Sequence, residues 1–99
     1  MSYTANQIIT DINNYMREHP HPNKDWYVGI ASSARDRLFN DHNVAEQGGT
    51  WIFRKAVSAD VAREVEKAYL DAGYDGGPGG GDDSSMYVYA YVQFQGTVR

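Results

Sequence analysis

Apolar residues near the start of the chain recur every three or four positions, the spacing of one face of a helix. Thr4 and Gln7 fit the two ends of a capping box, and Pro20 cannot continue a helix. The pattern therefore predicts an amphipathic N-terminal helix over 5–19 that buries one stripe against the rest of the fold. The stripe consists of Ile8, Ile9, Ile12, Tyr15 and Met16.

Three later stretches are rich in β-branched and aromatic residues, which favour strands. They cover 25–31, 51–57 and 86–94. The last stretch alternates smaller apolar residues with a row of tyrosines, and this row suits either a second buried face or a ligand-facing surface. The tyrosines are Tyr87, Tyr89 and Tyr91.

Helical patterns occupy two of the gaps. A short helix is expected over 34–40, with Ser32 or Ser33 as its cap, and a longer helix is expected between Ser58 and Gly73. Together the elements predict one α+β domain over 1–99, with a small three-stranded, mainly antiparallel sheet packed with helices.

A glycine-rich loop over 74–85 joins the longer helix to the last strand. Such a segment is costly to order, because glycine loses the most backbone freedom on folding. It is either a flexible link or a backbone surface that approaches a ligand. It does not match a phosphate loop that opens a helix, because a strand follows it.

Composition narrows the classes of function. The formal net charge of −4 argues against a general nucleic-acid binder, which usually carries a basic face, although a local positive site remains open. The chain has no cysteine, which excludes disulfides and thiolate chemistry. No signal-peptide pattern and no apolar run of about 20 residues is visible, so we expect a cytoplasmic protein without a membrane interaction.

Candidate chemistry concentrates between residues 26 and 43. Tyr27 and Gly29 lie in the first predicted strand, Arg35 and Arg37 lie in the short helix, and His42 follows it. A phenol, a guanidinium and an imidazole from adjacent elements can all assist phosphoryl chemistry, and a glycine in a strand lets another group approach the backbone closely.

This stretch resembles the second half of the GIY-YIG nuclease motif. In that family a Tyr-x-Gly strand is followed, ten residues after its tyrosine, by a helical arginine and then by a histidine one turn later. Tyr27, Gly29, Arg37 and His42 match this order, with His42 five rather than four residues after Arg37.

The resemblance extends to about residue 70 and also suggests a metal ligand. The family has a later helix with an Ala-x-x-x-Glu pattern whose glutamate binds a divalent metal, and Ala62 to Glu66 matches it. The family's Gly-Ile-Tyr strand does not precede Tyr27. We therefore expect a permuted arrangement, in which the last strand pairs beside 27–29 and supplies the second tyrosine, Tyr89.

The resemblance implies metal-dependent hydrolysis of a phosphodiester, with Mg²⁺ or Mn²⁺ as the cofactor. Arg37 would stabilise charge on the phosphate, and Tyr27 or Tyr89 would help to take a proton from water. A tyrosine with the usual pKa of about 10 is a poor base at pH 7 unless a cation lowers that pKa, which leaves His42 as the alternative base. The expected site consists of catalytic Tyr27, Arg37, His42 and Tyr89, metal-binding Glu66, and substrate-binding Gly29 and Arg35.

Two other functions remain open. The same fold could be a catalytically inactive binding module that holds a nucleotide or a protein partner, which the acidic charge and the absent first strand favour. The possible partners of the chain are a nucleic acid, a nucleotide or another protein. A purely structural or interaction protein would rest on the tyrosine row and the glycine-rich loop.

Overall fold

A computed structural model describes residues 2–77 and 84–99. Three strands form one sheet, all of whose strand pairs are antiparallel, and helices pack against it, which confirms the predicted fold class. A 3₁₀ turn at Asn23–Asp25 leads into the first strand, and a π-helix follows that strand. In chain order the principal elements are α1 (Ala5–Glu18), β1 (Trp26–Ala31), the π-helix (Asp36–Asp41), β2 (Trp51–Lys55), α2 (Ala59–Asp71) and β3 (Tyr87–Val92).

The last strand lies in the middle of the sheet, in the order β1-β3-β2. Tyr91 stands opposite Tyr27, and Tyr89 stands opposite Gly29. The expected pairing of the last strand beside 27–29 is therefore confirmed as a feature of the sheet.

One face of the sheet is covered by α1 and α2. Both helices begin at the predicted caps. The Thr4 side chain accepts from the Gln7 backbone N–H and the Gln7 side chain accepts from the Thr4 backbone N–H, which makes a capping box, and Ser58 accepts from the Val61 N–H at 3.2 Å. The helices bury Ile8, Ile12, Ala62 and Val65 against the aliphatic face of the strands.

The opposite face of the sheet carries the tyrosines. Leu38 and Val44 pack there with Tyr27, Tyr89 and Tyr91 in a second buried cluster. Tyr89 is 1% exposed and Tyr91 is fully buried. Of the two interpretations of the tyrosine row, the structure therefore favours a second buried face for these two residues, while Tyr87 stays half-buried.

The boundaries of several elements differ from those predicted. The helix expected over 34–40 contains a π-helix, which no local pattern indicated. The strand expected over 51–57 ends at Lys55, and Ala56 forms an isolated bridge to Tyr3. In the glycine-rich loop, Asp75 pairs with Tyr27 at the free edge of β1, whereas residues 78–83 lie outside the described residues.

Within residues 2–77 and 84–99, no helix combines the length and the apolar character needed to cross a membrane.

Candidate functional site

Four rings from three parts of the chain form one cluster on the tyrosine face of the sheet. Tyr27 comes from β1, Tyr89 and Tyr91 come from β3, and His42 follows the π-helix. The His42 ring centre lies 4.7 Å from that of Tyr27, 4.9 Å from that of Tyr91 and 5.5 Å from that of Tyr89. We refer to these four residues as the tyrosine–histidine cluster.

The π-helix sets the position of His42. The His42 backbone N–H donates to the Arg37 carbonyl at 2.8 Å, which closes a turn over five residues. A turn of this width places residue i+5 near residue i, as a turn over four residues does in an α-helix. The five-residue spacing of Arg37 and His42 is thus accommodated by the wider turn.

The hydrogen bonds of His42 define its protonation state. Its Nδ1 lies 2.6 Å from the Val98 carbonyl oxygen and 2.9 Å from the Tyr91 hydroxyl oxygen. Because the carbonyl can only accept, we assign the proton to Nδ1. Nε2 is then the acceptor for the Tyr89 hydroxyl at 2.8 Å. Burial lowers the pKa of His42, with the nearby charge of Arg37 acting in the same direction, so the imidazole is neutral at pH 7.

Arg37 lies at the border between this cluster and solvent, as its place in the sequence indicates. Its side chain is 38% exposed, and its Nε is 3.2 Å from Oδ2 of Asp41. Burial raises the pKa of Tyr89, and Arg37 opposes this increase through its charge and its hydrogen bonding to the phenol. The charge of Arg37 therefore acts on Tyr89, and Tyr89 is in turn hydrogen-bonded to the buried imidazole of His42.

Gly29 allows Tyr89 to occupy its place. A Cβ at residue 29 would lie 2.5 Å from the Tyr89 hydroxyl oxygen, so any larger residue would displace the ring. The absence of a side chain at residue 29 thus leaves room for the Tyr89 ring in the cluster. A contact of Gly29 with substrate stays a prediction.

The Tyr27 hydroxyl faces the start of the glycine-rich loop. A Cβ at Gly77 would lie 2.7 Å from this oxygen. Burial raises the pKa of Tyr27, Arg99 and Arg37 lower it, and Asp75 and Glu66 raise it. The expected lowering of the tyrosine pKa by a cation is therefore outweighed by burial, and Tyr27 is protonated at pH 7.

Glu66 lies on α2 and is 8% exposed. Burial raises the pKa of its carboxyl group, and the charge of Arg63 opposes this. Its charge also acts on Tyr27, although α2 packs on the other face of the sheet. In the part of the chain that the structure describes, no three His, Cys, Asp or Glu side chains form a group that could hold a metal ion.

Arg35 is held away from the cluster by other partners. Its guanidinium pairs with Glu46 and lies 5.1 Å from the Phe39 ring centre. The structure brings five of the seven predicted site residues together, namely Tyr27, Gly29, Arg37, His42 and Tyr89. The charge of Glu66 raises the pKa of Tyr27, and Arg35 lies at a separate surface.

The last residues of the chain contribute to the site in a way that the sequence did not indicate. The Val98 carbonyl fixes His42, and Arg99 donates to Asp75 Oδ1 at 2.6 Å beside Tyr27. Hydrogen bonds from Gln93, Arg99 and the Gly76 N–H outweigh the effect of burial and lower the pKa of Asp75. No local motif marks these contacts, because their partners are distant in sequence.

No protein-family model, curated protein or solved structure matches this chain.

Proposed function

We propose that this protein hydrolyses phosphodiester bonds in a metal-dependent reaction at the tyrosine–histidine cluster. One observation carries the proposal: Tyr89 and His42 form a hydrogen-bonded series of polar groups beside Tyr27, and the charge of Arg37 acts on both phenols. A cation next to phenols and a neutral imidazole is a combination that can both stabilise phosphate charge and accept a proton.

Glu66 is the residue proposed to hold the metal. Mg²⁺ prefers oxygen ligands and is often held by one or two carboxylates together with water and substrate phosphate. The buried carboxylate of Glu66 could supply one such ligand, although α2 packs on the helical face of the sheet and no group of three ligands is found among the described residues. When bound, Mg²⁺ or Mn²⁺ would supply positive charge to a phosphate oxygen.

In the proposed reaction the chain's own groups have separate roles. Arg37 would contact the phosphate, because its side chain is a partly exposed cation. The Tyr27 hydroxyl would orient the attacking water. The Tyr89 hydroxyl already donates to His42 Nε2, so a proton accepted by Tyr89 would pass to a neutral imidazole instead of requiring a tyrosinate.

A screen of single-stranded and double-stranded DNA and RNA tests this proposal. The purified protein is incubated with each substrate in Mg²⁺, in Mn²⁺ and in EDTA, and the products are resolved by length. Cleavage of at least one substrate that requires the metal is expected. Cleavage that persists in EDTA would contradict the metal-dependent mechanism.

A catalytically inactive binding module is the second candidate, and the raised pKa values of the tyrosines favour it. Burial keeps Tyr27, Tyr89 and Tyr91 protonated, so none of them is an activated base. Thermal unfolding distinguishes the two functions. Stabilisation by Mg²⁺ or Mn²⁺ supports the hydrolase, whereas stabilisation by a nucleotide without metal, together with no cleavage, supports the binding module.

A further inference from the structure

A set of half-buried aromatic rings continues from the tyrosine–histidine cluster to the β2 side of the sheet. Trp51 and Phe53 stack with ring centres 5.9 Å apart, and Phe53 meets Tyr87 edge to face at 6.0 Å. All three side chains remain partly accessible to solvent. We refer to Trp51, Phe53 and Tyr87 as the aromatic edge.

Two grooves meet at Phe53 and Tyr87. The first has a volume of about 170 Å³ and is also lined by residues 32–35. The second has a volume of about 340 Å³ and is also lined by Tyr3, Arg54 and Lys55. Both volumes are large enough for part of a planar ring, and Phe53 and Tyr87 are among the residues that line each groove.

The charges at these grooves are positive. Their linings include Arg35, Arg54 and Lys55 and contain no carboxylate. Arg35 and Arg54 pair with acidic residues outside the linings, Glu46 and Asp11. Among residues 2–77 and 84–99, Lys55 takes part in no salt bridge, so its charge is available to an anion.

We propose that the aromatic edge and its cations form a docking surface for single-stranded nucleic acid. Exposed bases stack on aromatic side chains, while lysine and arginine contact the adjacent phosphates. A duplex keeps its bases stacked inside, so no base face is available to stack on Phe53 or Tyr87. The surface thus selects unpaired strands by stacking, and its cations follow the backbone.

Few phosphate contacts are available to this binding. Among the described residues, Lys55 is the cation of the linings that has no salt bridge, and one phosphate contact gives a slope of about −0.7 for log K against log salt on a single strand. Binding is therefore weak at physiological salt and is measured at low salt. The docking does not depend on the proposed function. Only the further statement that the bound strand is also the substrate rests on the proposed function.

Fluorescence anisotropy tests the docking. The probe is a fluorescein-labelled 12-nucleotide oligo(dT), in EDTA so that no cleavage occurs, and it is compared with a duplex of the same length. The wild type is expected to prefer the single strand. Phe53→Leu, which keeps an apolar side chain but removes the ring, is expected to weaken binding by about fivefold or more.

A second variant tests the charge. Lys55→Gln is expected to reduce the steepness of the salt dependence by about 0.7, the value for one lost phosphate contact. Lys67→Gln is the matched control, because Lys67 lies on α2 and pairs with Asp71, away from the grooves. Circular dichroism checks that each variant is folded, and Lys55→Gln still tests the proposal if Phe53→Leu does not fold.

Four outcomes would overturn the proposal: no binding of the single strand at low salt, equal binding of the duplex, unchanged binding in both variants, or sedimentation showing a dimer that Phe53→Leu dissociates. The last would assign the aromatic edge to a second copy of this chain. Single-strand binding without any cleavage would support the docking surface while removing the proposed hydrolysis. If Phe53→Leu weakens binding but leaves the cleavage of single strands unchanged, the docking surface is supported and the docked strand is not the substrate.

Discussion

His42 is buried beneath three tyrosines, and its two ring nitrogens have different partners. The Val98 carbonyl accepts from Nδ1–H, and the Tyr89 hydroxyl donates to Nε2. This arrangement satisfies a neutral imidazole. A proton on Nε2 would make that nitrogen a donor, and the Tyr89 hydroxyl would then have to turn its hydrogen away and accept instead. The stability of the protein is therefore expected to depend on the protonation of His42 and on the Tyr89 hydroxyl.

Acid is expected to destabilise the protein through His42. Burial holds the pKa of folded His42 below its unfolded value of about 6.5, so the unfolded state binds more protons between the two values. The stabilising contribution is complete above about pH 6.5 and decreases as the pH falls below it. Histidine-selective NMR titration measures the pKa, and urea unfolding at about pH 7.5 and pH 5.5 measures the change in stability.

His42→Gln should reduce this pH dependence, whereas His21→Gln, at an exposed position, should leave it as in the wild type. A His42 resonance that titrates above pH 6.5 would contradict the neutral, buried imidazole.

Tyr89→Phe is expected to lower the free energy of unfolding by about 1–3 kcal/mol, because it leaves the buried Nε2 of His42 without its donor. Tyr87→Phe is the matched control on the same strand, at a half-buried position, and should change stability by less than about 0.5 kcal/mol. Urea denaturation of both variants gives the comparison. Equal losses of unfolding free energy in the two variants would contradict a stabilising role for the Tyr89–His42 hydrogen bond.

The residues of this site that lie in adjacent or paired elements could be predicted from the sequence. Tyr27, Arg37 and His42 lie in adjacent elements, and Tyr89 follows from pairing the last strand with the first. Arg99 and Val98 could not be predicted, because they contact Asp75 and His42 across 24 and 56 positions of the chain. Such contacts depend on where the tail folds back, which no periodicity encodes.

At the scale of elements, local signals determined the helices and strands but not the π-helix. The caps at Thr4 and Ser58 and the strand alternation act over a few residues, and the structure contains all of them. The wider turn before His42 is stabilised by contacts outside the helix, including the buried packing of Leu38 and the bonds of His42 itself. A local pattern therefore predicted a helix there without predicting its width.

The cap of α2 provides a test at this scale. Ser58→Ala should lower the free energy of unfolding by about 1 kcal/mol, because the Val61 N–H loses its acceptor at the helix start. Thr10→Ala is the control, on the exposed face of α1, and should change stability by less than about 0.5 kcal/mol. Thermal or urea unfolding checks both. A loss no larger in Ser58→Ala than in Thr10→Ala would contradict the importance of the cap.

In the whole molecule, the two faces of the sheet carry different side chains. The helical face holds the aliphatic core, and the tyrosine face holds the cluster, with the aromatic edge beside it. Because β3 is central, it contributes Val88 and Ala90 to the first face and Tyr89 and Tyr91 to the second. Apart from Glu66, which lies on α2, this placement puts the residues of the proposed chemistry and the aromatic edge on the same side of the sheet.

The rate of metal-dependent phosphodiester cleavage in matched variants is the most direct test of the proposed function. Arg37→Gln and Glu66→Gln are compared with Arg17→Gln and Glu64→Gln, which change exposed residues of α1 and α2. We expect both site variants to lose about 100-fold or more in rate, since each removes charge stabilisation at the phosphate, and both controls to keep the wild-type rate. Site variants as active as their controls, or a wild type that cleaves no substrate with either metal, would contradict the proposed function.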